Sequence, residues 1–271
     1  MLVRVPVASL FAAPDELSEQ VSQAVLGEPV ARFAEQAGWT RVRTPDGYEG
    51  WLRAAELVAA PEGWEGPWSE VEDLWANLRA RPDSHLAAVV AAPIGVRLPR
   101  RAAEGNWVQV RLPDGRELWT EARRLRPVDA GSPRNASPQA IVATARRFLG
   151  LPYLWGGTSP WGLDCSGFVQ LVLRLQGIAL RRDASQQAED GLPVTEPAAA
   201  DLVFFGPPER PDAITHVGMV LDRVLFLHAA GGDCVRVDRL TDSYYAERFR
   251  FFRRFAPSRS GNQPTPGGEP E

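Results

Sequence analysis

The residues best suited to chemistry in this chain are one cysteine and two histidines. Cys165 lies in the stretch LDCSGF, and Asp164 before it is a preferred N-cap residue, so we predict that a helix begins at the cysteine. Two of the three histidines, His216 and His228, fall in the strand-like segments THVGMVL and RVLFLHAA. A thiol with imidazole groups downstream predicts nucleophilic catalysis, in which a base draws the proton from the nucleophile.

The place of Cys165 in the first turn of a helix bears on its reactivity. Unpaired backbone N–H groups and the helix dipole favour an anion there, so we expect the thiol pKa to be lowered. The apolar residues that follow, Phe168, Val169 and Val172, predict a buried helix face, and Gly177 predicts its end. The alternative is that Cys165 is a small buried hydrophobic residue, since free cysteine is among the most buried residue types.

We predict that His216 and His228 lie on one hairpin, which turns near Asp222 and Arg223. Side chains alternate along a strand, so the loop length decides whether two of them share a face. A two-residue loop would put the histidines on opposite faces. An odd loop, such as Leu221–Arg223, or a bulge would put them on the same face, as joint action requires.

The N-terminal half contains an internal repeat. Residues 38–57 and 106–125 match at ten positions when offset by 68, and each copy has a strand, a Pro-Asp-Gly turn and a second strand with a tryptophan. This pattern predicts a hairpin followed by one tight helical turn. Between the copies, Ser69 and Glu72 form a capping box with an apolar stripe, which predicts a short helix over 69–80. The repeats resemble bacterial SH3-like modules, which are small β-barrels.

Composition excludes several function classes. The chain is 44% hydrophobic and 24% charged with a formal net charge of −4, and its arginines are interspersed with acids, which argues against a nucleic-acid partner. Two cysteines do not make a disulfide framework. Prolines interrupt the short apolar stretch of MLVRVPVASLFAAPDELSEQ, so we expect neither a secretory signal nor a membrane span. The expected location is cytoplasmic, unless the start codon is misplaced.

The C-terminal half closely resembles the NlpC-type cysteine peptidases, a compact papain-like family that cuts bacterial cell-wall peptides. The resemblance rests on PYLWGG, DCSGFVQ, RDASQQ, DLVFFG, HVGMVL and LHAAG, in the family's order. It implies that Cys165 is the nucleophile, His216 the general base and His228 the orienting residue. It also implies that the hydroxyl of Tyr153 aids the oxyanion site. The implied pocket for the γ-D-glutamyl part of the substrate is lined by Asp164, Ser166, Asp183 and Ser185.

These features predict an α+β chain of two small SH3-like β-barrels followed by a papain-like α+β cysteine peptidase domain. The first SH3-like domain is expected over residues 1–60. A linker helix and a second SH3-like domain are expected over 61–130, and the peptidase domain over 135–256. Ser137 followed by Pro138 predicts its first helix. The Pro/Gly-rich residues 257–271 predict a disordered tail.

The architecture implies a substrate class. Family members with SH3-like modules and no export signal resemble the enzymes that recycle murein peptides, cleaving the bond between γ-D-Glu and the diamino acid where the N-terminal L-Ala is free. No cofactor or metal is expected. The resemblance also implies that Tyr48, whose counterpart in the second repeat is Arg116, closes one end of the cleft; the alternative is that Tyr48 is an exposed turn aromatic. The substrate ammonium then needs a carboxylate partner, for which we expect Glu19, with Asp15 and Glu16 as alternatives.

Other functions are compatible with some of these residues. A metal site of Cys165, His216, His228 and Cys234 would lack close ligand spacing such as Cys-x-x-Cys. A wall-binding protein with a dead peptidase domain would have no reason to keep all three catalytic side chains. The same site could also serve acyl transfer, another amidase reaction or general wall endopeptidase activity, and product analysis with a defined muropeptide separates these.

Overall fold

The structure, a computed structural model, describes residues 1–128 and 136–255. The first 128 residues form strands and short turns, and residues 136–255 combine helices with a sheet. The predicted α+β class with a β-rich N-terminal region is therefore confirmed. Residues 129–135, at the predicted boundary between the second SH3-like domain and the peptidase domain, and the tail predicted over 257–271 lie outside the described residues.

Residues 2–58 form a first β unit. Its strands are β1 (Leu2–Val3), β2 (Val7–Phe11), β3 (Gln20–Val25), β4 (Ala31–Gln36), β5 (Trp39–Arg43), β6 (Glu49–Arg53) and β7 (Leu57–Val58). Within this unit, one sheet has the order β3-β2-β6-β5-β4, and β1 pairs with β7. Alternate side chains point inward, so Val3, Leu10 and Leu52 are fully buried in a shared apolar core.

Residues 68–128 form a second β unit, whose core around Val71, Leu78 and Val110 also includes Val25 and Leu26 of the first unit. Its strands are β8 (Trp68–Val71), β9 (Trp75–Leu78), β10 (Val90–Pro93), β11 (Arg97–Glu104), β12 (Trp107–Arg111), β13 (Glu117–Glu121) and β14 (Leu125–Val128). Within this unit, one sheet has the order β13-β12-β11-β8-β14, and β9 pairs with β10.

The sequence repeat is also a structural repeat. The β5–β6 hairpin corresponds to the β12–β13 hairpin, and each leads into one turn of 3₁₀ helix, Ala54–Glu56 in the first unit and Ala122–Arg124 in the second. Gly47 and Gly115 occupy the same place in the two turns, each with φ of 86°, where a side chain would be strained. The predicted hairpins and helical turns are confirmed.

The helix predicted over 69–80 is wrong, because this stretch forms β8 and β9. β8 lies between β11 and β14, and Glu70, buried in it, forms ion pairs with Arg97 and Arg126 on these neighbours. In β9, Ala76 and Leu78 are buried while Trp75 is 42% exposed. Pairing with strands distant in sequence outweighs the local helical pattern here.

The C-terminal region, residues 136–255, packs four helices against a sheet within its described span. Its elements are α1 (Pro138–Arg146), β15 (Thr158–Ser159), β16 (Gly162–Leu163), α2 (Cys165–Leu175), α3 (Ala184–Glu189), β17 (Leu192–Val194), β18 (Leu202–Phe205), β19 (His216–Val220), β20 (Leu225–Ala229), β21 (Val235–Arg239), α4 (Ser243–Arg248) and β22 (Phe249–Arg254). The main sheet has the order β17-β22-β18-β19-β20-β21. As predicted, Ser137 caps α1, with Pro138 at its first position.

Polar side chains of the first β unit hold the loop that precedes α2. Gln20 donates to the carbonyl of Trp155 at 2.8 Å. The side-chain oxygen of Gln23 accepts from the backbone N–H of Thr158 at 2.9 Å and from the hydroxyl of Ser159 at 3.0 Å. The β unit therefore supports the loop that leads into the cysteine. In the described part of the chain, no helix has the length and apolar character needed to cross a bilayer.

Candidate active site

Helix α2 begins at Cys165, as predicted, because Asp164 caps it. The Asp164 carboxylate accepts from the backbone N–H of Gly167 at 2.6 Å. A Cβ at Gly167 would overlap the carbonyl oxygen of Gly157, so the close approach of the preceding loop requires glycine. Cys165, at the end of this packed junction, is 9% exposed.

A buried ion pair fixes this junction. Arg182, 2% exposed, donates to the two carboxylate oxygens of Asp164 at 2.5 and 3.1 Å. It also donates to the hydroxyls of Ser166 at 2.8 Å and of Ser22, in the first β unit, at 3.1 Å. Asp164 and Ser166, predicted to contact substrate, are thus committed to positioning the nucleophile helix, and their contact with substrate stays a prediction.

Replacing Arg182 with methionine is expected to destabilise the protein by about 3–5 kcal/mol, since it leaves the buried Asp164 carboxylate without its cation. The neighbouring Arg181 pairs with Glu189 and Asp190 at the surface, so Arg181→Met is expected to cost about 1 kcal/mol or less. Urea unfolding of both variants measures the contrast. Equal losses of unfolding free energy would refute the role of the buried pair.

The hairpin register places both histidines on one face of the sheet. Met219 pairs with Leu227 and Val220 with Phe226, so an odd number of residues, 221–225, lies between the last paired residues of β19 and β20. In this register His228 lies across from Gly218, two residues along the strand from direct opposition to His216 and on the same face. A Cβ at Gly218 would press on the ring of Phe226 and on the Cβ of His228. Glycine therefore makes room for the histidine pair.

The histidines form a hydrogen-bonded chain that ends on a carboxylate. His216 Nε2 lies 2.8 Å from His228 Nδ1, and His228 Nε2 lies 3.1 Å from Asp238 Oδ2. Because a carboxylate only accepts, His228 carries its proton on Nε2 and accepts from His216 through Nδ1. His216 then carries its proton on Nε2, which leaves its Nδ1 free to take the thiol proton. The chain therefore selects the tautomer that a general base needs.

Asp238 is held as an anion by its own partners. Burial raises the pKa of this carboxyl, but hydrogen bonds from Tyr245, Arg236 and His228 outweigh burial and lower it. The Tyr245 hydroxyl donates to Asp238 at 2.6 Å, and Arg236 donates to it at 2.9 and 3.1 Å. An ionised Asp238 keeps the tautomers fixed at neutral pH.

The thiol and its base are both neutral before substrate arrives. Burial, and then the charge of Asp164, raise the pKa of Cys165 to about 12. Burial, and then the charge on His228, lower the pKa of His216 to about 3. The predicted lowering of the thiol pKa is therefore wrong, because burial outweighs the helix N-terminus. The predicted transfer of the thiol proton to His216 therefore has to accompany the attack of the sulfur.

The low pKa of His216 predicts an acid-sensitive fold. In the unfolded chain its imidazole takes a proton below about pH 6.5, whereas the folded enzyme keeps it neutral down to about pH 3. The free energy of unfolding is therefore unaffected by this imidazole above pH 6.5. Below pH 6.5 it decreases by about 1.4 kcal/mol for each unit that the pH falls. Urea unfolding at pH 7 and pH 5 should show that His216→Asn loses less unfolding free energy between the two pH values than the wild type does. If the variant loses as much unfolding free energy as the wild type, His216 is not held in a buried neutral state.

A cavity of about 680 Å³ opens onto the catalytic side chains. Its lining includes Cys165, His216, His228 and Tyr153. Burial, and then the charges of Cys165 and Asp164, raise the pKa of Tyr153, so its hydroxyl keeps its proton and can donate to an oxyanion. The structure thus brings together the four predicted catalytic residues, whose individual roles stay predictions. Within the described residues, no cluster of three or more His, Cys, Asp or Glu could hold a metal ion.

The predicted substrate-binding residues of the first β unit lie beside α3. The Tyr48 hydroxyl hydrogen-bonds to Asp183, and burial with the charge of Asp183 raises the Tyr48 pKa to about 12. The charge of Glu19 acts on the same hydroxyl, and Glu19 accepts from Trp155 Nε1 at 2.8 Å. Tyr48, Asp183 and Glu19 are therefore neighbours. Ser185 is exposed on α3 and makes no hydrogen bond with described residues.

The sequence interpretation missed Asp238, Arg236 and Tyr245. The signal lay in VRVDR, where apolar and charged residues alternate directly after the histidine hairpin. A third strand that continues this meander places Arg236 opposite His228, and Asp238 on the same face. Tyr245 carried no such signal, because it reaches the carboxylate from the separate helix α4.

Comparison with known proteins agrees with this geometry. Residues 150–254 match the NlpC/P60 family, and residues 10–57 match the bacterial dipeptidyl-peptidase SH3 domain. The chain is 30% identical over 246 residues to the gamma-D-glutamyl-L-lysine dipeptidyl-peptidase of Bacillus subtilis, covering 86% of this chain and 80% of that protein. It is 28% identical to dipeptidyl-peptidase 6 of Lysinibacillus sphaericus, covering 88% and 90% of the two chains.

The fold has a solved counterpart. A crystal structure of an NlpC/P60 family protein from Bacillus cereus superposes with a TM-score of 0.87 at 23% identity, covering 94% of this chain and 99% of that one. The nucleophile helix, the histidine hairpin and the matches over most of the chain lead to one conclusion. The chain belongs to the NlpC/P60 family of cysteine peptidases and carries a bacterial dipeptidyl-peptidase SH3 domain at its N-terminal end.

Proposed function

We propose that this peptidase hydrolyses the bond between γ-D-Glu and the diamino acid in murein peptides whose N-terminal L-Ala is free. One observation carries the proposal: side chains of the first β unit reach the neighbourhood of the nucleophile. Tyr48 bonds to Asp183, next in sequence to Arg182, which in turn holds Asp164 beside Cys165. We infer that a module in this position blocks a longer chain ahead of the L-Ala. The names of the relatives agree with this substrate class.

Glu19 is the carboxylate best placed for the substrate ammonium. Asp15 accepts from the backbone N–H of Leu17, and Glu16 forms an ion pair with Arg53, so both are committed within their own unit. Glu19 instead faces the peptidase region, where its Oε1 accepts from Trp155. Its other oxygen has no hydrogen bond to any described residue and can accept from an ammonium. We place the γ-D-glutamyl unit between Glu19 and the nucleophile.

The reaction follows from the hydrogen-bonded chain. His216 takes the thiol proton as the sulfur of Cys165 attacks the γ-carbonyl of D-Glu, and the Tyr153 hydroxyl donates to the developing oxyanion. His216 then protonates the amine of the departing diamino acid, while Asp238 stabilises the charge on the two imidazoles through His228. Water, deprotonated by His216, hydrolyses the thioester and releases L-Ala-γ-D-Glu.

The architecture completes the proposal. We take both β units to be SH3-like modules of the small-barrel type, in which the β1–β7 pair closes the side of the first sheet. Residues 1–60, 61–130 and 135–256 are then the three domains. A substrate with a free L-Ala amine arises once the peptide has left the sugar strand. We therefore place the enzyme in the cytoplasm, in peptide recycling.

A pair of peptides tests the proposal. Wild-type enzyme is expected to cleave L-Ala-γ-D-Glu-diamino acid peptides at least 100-fold faster, in kcat/KM, than the N-acetylated forms, since acetylation removes the ammonium and leaves Glu19 unpaired. Glu19→Gln should raise KM for the free peptide about tenfold, whereas Glu16→Gln, the matched control, should leave it unchanged. If acetylated peptides or intact wall are cut equally well, the enzyme is a general wall endopeptidase.

A further inference from the structure

The 680 Å³ cavity beside the nucleophile extends away from the first β unit. Its described lining comes from residues 153–248 alone, whereas Glu19 and Tyr48 lie outside it. It runs from Cys165 and His216 past His228 to α4. If the acyl part of the peptide lies against the first β unit, the group that departs from the scissile bond must occupy this cavity.

The cavity carries four charged side chains, two of which are already committed. Arg236 bonds to Asp238 and to Asp233, and Asp238 bonds to His228. These groups therefore have little capacity left for a ligand. Their hydrogen bonds instead fix the position and the protonation of His228.

The two remaining charges are available. Asp242 precedes α4, yet its carboxylate makes no hydrogen bond or ion pair with any described residue. Arg248, on the other end of α4, stacks over the ring of Tyr244 at 3.9 Å and donates to the Tyr244 carbonyl at 3.0 Å. Its ion pair with Glu247 is long, at 3.7 Å, and exposed. One unpaired anion and one oriented cation thus face the same cavity.

We propose that this cavity is the leaving-group subsite and that it selects a diamino acid whose side chain ends in both an ammonium and a carboxylate. This assignment rests on the proposed function. Asp242 accepts from the side-chain ammonium, and Arg248 donates to the side-chain carboxylate, which its planar fork of N–H donors suits. Diaminopimelate presents both groups. Lysine presents the ammonium alone and leaves Arg248 unused.

Substitutions of the two charged residues are expected to have different effects. Arg248→Gln is expected to lower kcat/KM for the diaminopimelate tripeptide about tenfold and to leave the value for the lysine tripeptide unchanged. Asp242→Asn should lower both values by a similar factor, because both side chains carry the ammonium. Arg239→Gln is the matched control. Arg239 is exposed and lies outside the cavity, so this variant should keep the wild-type preference.

The experiment measures kcat/KM for L-Ala-γ-D-Glu-meso-diaminopimelate, for its two monoamides and for L-Ala-γ-D-Glu-L-Lys. The preference for diaminopimelate should survive amidation of the main-chain carboxylate and vanish on amidation of the side-chain carboxylate. Equal loss on both tripeptides in Arg248→Gln, no loss on either, or a preference that follows the main-chain carboxylate would overturn the assignment. The wild type keeps the tests separate, since failure to release L-Ala-γ-D-Glu from either tripeptide would refute the proposed function itself.

Discussion

Replacing Cys165 with alanine is expected to reduce kcat for γ-D-glutamyl peptide cleavage by at least about 10⁴-fold, because no other group in the cavity can form the thioester. The fold should persist, since the side chain is small and its loss removes little buried volume. Steady-state cleavage of L-Ala-γ-D-Glu-diamino acid, followed by chromatography of the products, measures the loss, and circular dichroism with thermal unfolding checks the fold.

The second cysteine provides the control. Cys234 lies outside the cavity lining, so Cys234→Ala is expected to keep a kcat within about twofold of the wild type. Cys165→Ser tests the thiol itself, because a hydroxyl is the weaker nucleophile beside the same base. Substantial cleavage by a folded Cys165→Ala variant would contradict the mechanism.

Asp238→Asn is expected to lower kcat by about 100-fold while leaving KM nearly unchanged. An asparagine can turn its amide N–H₂ toward His228 Nε2, which then carries its proton on Nδ1 instead. That proton points at His216 Nε2, which then accepts it, so His216 carries its own proton on Nδ1 and this nitrogen can no longer accept one. The charge that stabilises the imidazolium is lost as well.

Two further variants test whether the loss of kcat in Asp238→Asn results from the changed tautomers of the histidines. Asp233→Asn removes the other carboxylate partner of Arg236 without touching His228, and it should leave kcat near the wild-type value. Tyr245→Phe removes one donor to Asp238 but keeps the carboxylate, so a loss of tenfold or less is expected. A kcat for Asp238→Asn within twofold of the wild type would exclude the tautomer argument.

Local signals predicted the parts of the fold that depend on neighbours in sequence. The Pro-Asp-Gly turns, with Gly47 and Gly115 at positive φ, predicted the repeated hairpins. Caps predicted the starts of α1 and α2, and the structure has them at Ser137 and Asp164. Periodicity predicted the two histidine strands, and joint action required an odd loop or a bulge between them; the register has the odd spacing, with its centre at residue 223 instead of 222.

The wrong predictions concern features that residues distant in sequence determine. The stretch 69–80 follows a helical pattern, but its place between β11 and β14 makes it strand. Extending the 68-residue offset to this stretch would have aligned it with β1 and β2, which is the signal that was available. The raised thiol pKa depends on burial under residues far along the chain, and no local motif reports burial. Arg182, which links the first β unit to the C-terminal region through Ser22 and Asp164, was missed for the same reason.

The bond that the enzyme breaks, and the residue that carries the acyl group, test the central claim most directly. Wild-type enzyme is mixed with L-Ala-γ-D-Glu-meso-diaminopimelate, quenched in acid within milliseconds and analysed by mass spectrometry of both protein and products. The account predicts free diaminopimelate, the dipeptide L-Ala-γ-D-Glu, and an L-Ala-γ-D-Glu adduct on the peptide that contains Cys165. Release of free L-Ala, or an adduct on any other residue, would contradict it.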